Sequence, residues 1–252
     1  MLDHTYRVER DKWDALAAHK ELSDSKLTVK GDFHDYAAHA ATMTGVNEFL
    51  GDLAGRQVLE LGCGLGEISV LLAKSGACVT AFDLSPASVA FAKRRAELNQ
   101  VAERVHLAAA AGEAMPFADH SFDLIFGKAI LHHLDAGLGA PELYRVLKPG
   151  GRAAFVEPMG MNPFLRFARA YLPYPNKNPR GADRPLHYED IRLWGCQFQE
   201  FHQREIQLLS MLERGLGFKR RLKGLRRLDD LLLRRVPYLR RYCRYVVLTL
   251  RK

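Results

Sequence analysis

The chain has 252 residues, 48% of them hydrophobic, and a formal net charge of +8, enough for one large domain or two small ones around a sizeable core. It begins with a polar, charged MLDHTYRVERDKWD and holds no apolar run of about 18 residues, so neither a signal peptide nor a transmembrane helix is expected and a cytoplasmic protein is. Cys63, Cys78, Cys196 and Cys243 lack C-x-x-C spacing, which argues against a zinc site or a disulfide framework, and the basicity is confined to residues 219–252, with 13 Lys/Arg against 2 Asp/Glu.

Residues 1–55 read as helices. Val8, Trp13, Leu16 and Ala17 mark the first, residues 35–43 a second and residues 45–53 a third. Phe33, His34 and Tyr36 are the aromatic candidates here: they either pack the helices inward or face a ligand.

Val58, Leu59 and Leu61 form a short apolar run like a buried parallel strand. Gly62, Gly64 and Gly66 follow at once, as a backbone at positive φ or in close approach to a ligand requires. Residues 68–72 carry a helix whose first N–H groups face back to the turn, and Ser75-Gly76 ends it. Residues 79–82 make the second strand, with Asp83 at its carboxyl tip. Ligands of open α/β sheets bind at that end, and a carboxylate there accepts two hydrogen bonds from a ribose diol. A dinucleotide site runs G-x-G-x-x-G. Here the spacing is G-x-G-x-G, and Glu67 stands where the third glycine would be, facing a pyrophosphate. S-adenosylmethionine has no phosphate and carries a cationic ammonium and sulfonium, which Glu60 suits. The turn therefore favours the methyl donor.

Residues 86–99 predict a helix, with Ser85 as N-cap and Pro86 in first position. Residues 105–109 form the third strand, followed by Ala110-Ala111 and Gly112-Glu113. Residues 122–126 form the fourth, with Asp123 anchoring local backbone. The tip of this strand carries Lys128, which either meets a ligand carboxylate or is solvated, and then His132 and His133. A histidine can take a proton from a hydroxyl or amine; alternatively one of the pair is buried and the other exposed. No further clustered ligands accompany them, so no metal site is expected. Residues 141–147 predict a helix and residues 153–156 the fifth strand, with Glu157 at its carboxyl end, either orienting substrate or a rim charge.

Residues 158–186 interrupt the alternation as a long, proline-rich loop with one short helix near residues 164–171. Its aromatics and arginines (Phe164, Arg166, Phe167, Arg169, Tyr171, Tyr174, Arg180, Arg184) suggest a pocket for an apolar or anionic substrate, or a surface excursion held by its own apolar residues. A helix over residues 188–194 and a strand over residues 198–209 come next. Residues 211–236 read as a basic amphipathic helix with Leu222, Leu225, Leu228 and Leu232 on one face. That helix either packs on the domain with a solvated cationic face or lies on an anionic membrane surface; no groove or module supports nucleic acid. Residues 242–250 form a last strand.

ELGCGLGEIS, FDLS, MPFADHSFDLIF and LYRVLKPGG together resemble the class I S-adenosylmethionine-dependent methyltransferases, in the small-molecule branch called methyltransferase type 11, over residues 55–157. The resemblance implies a Rossmann-like α/β fold. It has a seven-stranded, mostly parallel sheet, an antiparallel last strand, helices on both faces and an N-terminal helical cap. The chain then divides, within one methyltransferase domain, into a cap (1–55), a cofactor-binding core (56–157), a substrate or lid loop (158–186) and C-terminal strands (187–252) with the basic insertion (211–236). The turn of Gly62, Cys63, Gly64 and Gly66 is expected under the methionine part of the cofactor, with Glu60 toward its ammonium, Lys128 toward its carboxylate, Asp83 on the ribose and Leu84 beside adenine. The family expects a Gly-Asp pair after the third strand, with Asp accepting from the adenine amino group. Ala110-Ala111 stand there instead, so either Glu113, next to Gly112, reaches the amino group or backbone groups alone read adenine. Tyr36, Glu157, Phe164 and Tyr171 are the candidate acceptor contacts, and His132 and His133 the candidate bases.

The reaction implied is in-line attack on the methyl carbon by an oxygen, nitrogen or carbon nucleophile of a small metabolite or natural product, releasing S-adenosylhomocysteine without a metal. One alternative acceptor is a lipid, quinone or membrane-linked glycan reached through the basic helix. Another reading is a non-catalytic S-adenosylmethionine-binding module.

Overall fold

The computed structural model describes residues 2–18, 24–172, 184–215 and 223–252. Among these, seven strands form one sheet: β1 (Gln57–Leu61), β2 (Cys78–Asp83), β3 (Val105–Ala109), β4 (Phe122–Lys128), β5 (Leu147–Pro158), β6 (Glu200–Ile206) and β7 (Tyr245–Arg251). Their order is β3-β2-β1-β4-β5-β7-β6. β1 to β5 pair in parallel, and β7 runs antiparallel between β5 and β6. The helices are α1 (Leu2–Ala18), α2 (Asp24–Leu27), α3 (Phe33–His39), α4 (Val46–Leu50), α5 (Glu67–Lys74), α6 (Pro86–Leu98), α7 (Ala136–Val146), α8 (Pro163–Tyr171), α9 (Tyr188–Gly195), α10 (Leu212–Gly215) and α11 (Lys223–Arg235). The mostly parallel sheet with its antiparallel last strand is the one expected.

The two-residue period of a strand sends alternate side chains to opposite faces. Val58, Leu124, Phe126 and Val156 face α3 and α5 on one side. Leu59, Leu61, Ile125 and Phe155 face α7 and α9, with Trp194, on the other. Phe33 belongs to the first layer, fully buried with its ring 5.2 Å from that of Phe126, so it packs rather than caps. Glu60 shares the face of Val58 and is therefore carried under α5, where it is 3% exposed.

The strand order reverses between β1 and β4. There the chain leaves the sheet in opposite directions and a crevice opens at the carboxyl ends. Gly62 comes directly after β1, Asp83 ends β2 and Lys128 ends β4. Ser85 caps α6 as expected: its Oγ accepts from the Ser88 N–H at 3.0 Å, with Pro86 in first position. Asp14 of α1 adds to that cap, accepting from the Ala87 N–H at 3.1 Å and from the Ser85 hydroxyl. α1 is thereby tied across the mouth of the crevice.

Two local expectations change. The helix expected from residue 141 begins at Ala136 instead, because Asp135 caps it, its Oδ1 accepting from the Gly137 N–H at 2.8 Å, and Pro141 sits inside. Of the basic segment, α10 and α11 are helical, and Leu222 lies outside the described residues. α11 packs through Asp229, Leu232 and Leu233, not through Leu228, which is 41% exposed. Buried Asp229 accepts from the N–H groups of Leu208, Leu209 and Ser210 at 3.1, 2.7 and 3.1 Å, which turns α11 onto the end of β6.

Candidate active site

The turn after β1 is shaped by positive φ at Gly62, Gly64 and Gly66. The three glycines serve different ends. A Cβ on Gly62 would lie 2.6 Å from Ile130, and one on Gly66 2.7 Å from Ala92, so these two permit close packing of the β4 tip and of α5 on α6. A Cβ on Gly64 would meet nothing within 4 Å. It would project into open space, as expected where a ligand comes against backbone. Cys63 is buried between them, its N–H donating to the Phe82 carbonyl at 3.0 Å.

A cavity of about 270 Å³ lies at this end of the sheet. Gly62 and Gly64 form its floor, with Asp83 and Leu84 from the end of β2 and residues 110–113 from the end of β3. Lys128, Ala129, Ile130 and His133 line it from β4, and Tyr6, Glu9 and Trp13 of α1 close it. Ala129 holds φ at +57°, a left-handed conformation rare for a residue with a side chain, and such strain clusters where a ligand is handled.

The carboxylate of Asp83 accepts from the Gly64 N–H at 2.8 Å and from the Ser85 N–H at 3.0 Å. Burial raises its pKa above the ordinary aspartate value, against those two bonds. Glu113 Oε1 accepts from the Asp135 N–H at 3.0 Å. Burial, then the Glu113 charge and a hydrogen bond to the Glu113 carboxyl group, push the Tyr6 hydroxyl well above its usual range.

Glu60 does not line the cavity. It lies beneath the turn and accepts a short hydrogen bond from the Ser69 hydroxyl. Burial pushes it up to about 8, with the nearby Asp83 adding to the rise and the Ser69 bond opposing it.

The two histidine rings lie against each other, their centroids 4.1 Å apart, but they meet different carboxylates. His132 is turned into the protein, with Nδ1 2.7 Å from Oε2 of fully buried Glu157, and it does not line this cavity. Glu157 Oε1 accepts from the Ile130 and Leu131 N–H groups at 2.9 and 3.0 Å. Glu157 is neither a rim charge nor an exposed substrate contact: the chain after β4 folds back over it and uses both its oxygens. His133 lines the cavity, its Nδ1 3.1 Å from Glu9 Oε1 and its ring edge-on to Trp13 at 6.0 Å. Lys128 Nζ donates to the Tyr36 hydroxyl at 2.5 Å, which sets Tyr36 just behind the cavity wall. Phe164 and Tyr171 lie on α8, exposed and outside the lining. Tyr174 and Arg180 fall outside the described residues.

Residues 59–155 match the family described as Methyltransferase domain, type 11. The matched stretch runs from β1 into β5 and includes the glycine turn. The chain is similar to a demethylmenaquinone methyltransferase of Chlorobaculum parvum, 36% identical over 121 residues and covering 47% of each. A second demethylmenaquinone methyltransferase, of Corynebacterium efficiens, is 31% identical over 153 residues, 60% of this chain and 62% of that one. The chain spans about half the length of the first of these relatives. The geranyl diphosphate C-methyltransferase of Streptomyces coelicolor, 17% identical, superposes with a TM-score of 0.59 over 81% of this chain and 76% of that one, which shows the shared fold.

The site fits an adenosyl ligand on its own geometry. An open glycine floor, a carboxylate at the tip of β2 and a second carboxyl group, that of Glu113, after β3 surround one cavity. The motif residues Gly62, Gly64, Asp83, Leu84, Gly112, Glu113, Lys128 and His133 come together there, and Glu60, Cys63 and Gly66 support the turn from below. Tyr6, Glu9 and Trp13 had no signal beyond an amphipathic helix. Among the described residues no group of three His, Cys, Asp or Glu is placed to hold a metal ion, and no helix is long and apolar enough to cross a membrane.

Proposed function

We propose that the protein transfers the methyl group of S-adenosylmethionine to an oxygen, nitrogen or carbon nucleophile of a small metabolite or natural product. The observation that carries this reading is the carboxylate of Asp83 at the tip of β2, beside the open Gly64 and in one cavity with Glu113. Asp83 accepts from the ribose diol with the lone pairs left by Gly64 and Ser85. Glu113 accepts from the adenine amino group, taking the place of the absent aspartate at Ala111. Lys128, steadied by Tyr36, meets the methionine carboxylate, and Glu60 under the turn gives up its proton in favour of the ammonium. The cofactor supplies an electrophilic methyl carbon on a sulfonium that leaves as a neutral thioether. The protein's share is then mostly orientation, worth roughly 7–11 kcal/mol in favourable cases.

His133 takes the acceptor's proton. With its Nδ1–H donated to Glu9, the Nε2 lone pair is the basic position, and the Glu9 carboxylate stabilises the imidazolium that forms. α1, held to α6 by Asp14, excludes water above the reacting atoms. Methyl-labelled cofactor incubated with a panel of phenols, amines and activated carbon acids tests the reading. Label in any acceptor, with equimolar S-adenosylhomocysteine, supports it; bound cofactor with no transfer to any acceptor favours a non-catalytic module.

A second reading places the acceptor on a lipid or quinone. The names of the two demethylmenaquinone methyltransferases favour it, as does the basic C-terminal segment. Turnover on a detergent-solubilised quinol, with none on water-soluble phenols, supports this reading over the first.

A further inference from the structure

Helix α8 buries none of its residues. Phe164 and Phe167 are 76% and 60% exposed, and Tyr171 is 63% exposed. Steps of three and four residues set these rings on one face of the helix, and the rings of Phe167 and Tyr171 lie 4.8 Å apart. Aromatic rings are ordinarily core material. A contiguous set held out to water marks a surface that meets something apolar.

The charge beside it names the partner. Asn162, the N-cap of α8, donates from Nδ2 to the Tyr242 carbonyl at 2.6 Å. This bond joins the start of α8 to the end of the arginine-rich turn Pro237–Tyr242. Residues 223–244 carry eight Lys/Arg and two Asp/Glu. Both acids are engaged within the protein, Asp229 by the loop after β6 and Asp230 by Arg204 at 3.4 Å. Val236 and Tyr238 in this segment are 44% and 63% exposed. Exposed rings beside a cationic surface match the boundary between acyl chains and anionic headgroups. A second copy of the chain fits less well, because a two-fold contact would set arginine against arginine.

We propose that α8 and the 236–241 turn dock the protein onto an anionic lipid bilayer, the rings entering the headgroup boundary and the arginines resting on phosphates. β5 leads directly into this surface from its carboxyl end, the end of the sheet that holds the cavity. The docking extends the lipid-acceptor reading and rests on that reading only for its purpose. Its geometry stands on the surface itself.

The test is sedimentation of the intact protein with vesicles of equal parts phosphatidylcholine and phosphatidylglycerol, and with phosphatidylcholine alone. The protein should pellet with the anionic vesicles and be released by salt. Phe164→Ser with Phe167→Ser should weaken partitioning on the order of tenfold or more, while thermal unfolding and S-adenosylhomocysteine binding stay unchanged. Absence of pelleting with anionic vesicles overturns the proposal, as does equal pelleting of the double variant. Self-association without vesicles that the double variant loses assigns the face to a second copy and also overturns it. Turnover on a detergent-solubilised acceptor is read separately, so failure to dock and failure to transfer methyl groups are distinguishable.

Discussion

Replacing Glu60 with Gln isolates the cost of keeping a carboxyl group under the glycine turn. Burial raises Glu60 from the ordinary 4.5 to about 8. Between those values the folded protein holds a proton that the unfolded chain has released, so stability falls as pH rises. At about 1.4 kcal/mol per pH unit, the whole span is worth roughly 5 kcal/mol. Below the lower value the group is neutral in both states and contributes nothing; above the upper value the full cost is present. Gln is neutral throughout and keeps a contact with the Ser69 hydroxyl. Urea unfolding of both proteins across pH 5 to 9 measures the difference. The variant's stability advantage should grow steadily between about pH 5 and 8 and then level off. Parallel curves would refute the reasoning, since Glu60 would then be ionised in the folded protein by water or a cation. The same logic reaches the ligand. A bound ammonium favours the charged carboxylate, so binding of S-adenosylmethionine near neutral pH should release a proton in the wild type and none from this position in Glu60→Gln. Calorimetry in buffers of different ionisation enthalpy reads that release.

Other substitutions test other parts of the account. Asp83→Asn keeps the size of the side chain but removes its charge, and should weaken S-adenosylhomocysteine binding about tenfold or more; unchanged affinity would remove the ribose assignment. Glu9→Gln should lower kcat by on the order of tenfold, and His133→Asn by about a hundredfold. Cofactor affinity should change little in either, and the double variant should be no slower than His133→Asn alone, as pairs acting as a unit are non-additive. Asp229→Ala strands the N–H groups of residues 208–210 and should cost about 3 kcal/mol or more, seen as a lower denaturation midpoint with no effect on the adenosyl site.

The parts of the site written into β-strand tips were legible in the sequence, because a short apolar run ending in glycine or an acid fixes both the strand and the place of its last residues. Gly62, Gly64, Asp83 and Lys128 are of this kind. Glu157 looked the same by position, at the carboxyl end of β5, yet it faces inward. What decides its role is that residues 130–132 fold back over it, a tertiary event no local pattern records. The histidine pair takes two roles for the same reason: the adjacent rings stay in contact, and only the placement of Glu157 and Glu9 tells which one lines the cavity. α1 was readable as a helix but not as a wall of the site, since its position depends on Asp14 reaching the N-terminus of α6, more than seventy residues away. The apolar stripe read along α11 failed at Leu228 because a buried aspartate, Asp229, sets the packed face.

The central claim is an adenosyl site built on Gly64, Asp83 and Glu113. The most direct measurement is calorimetric titration of the protein with S-adenosylhomocysteine, NAD and NADP, repeated with Glu113→Ala. The account predicts binding of S-adenosylhomocysteine alone, weakened about tenfold in the variant through the lost contact to the adenine amino group. Binding of NAD alone, or adenosyl binding indifferent to Glu113, would contradict it.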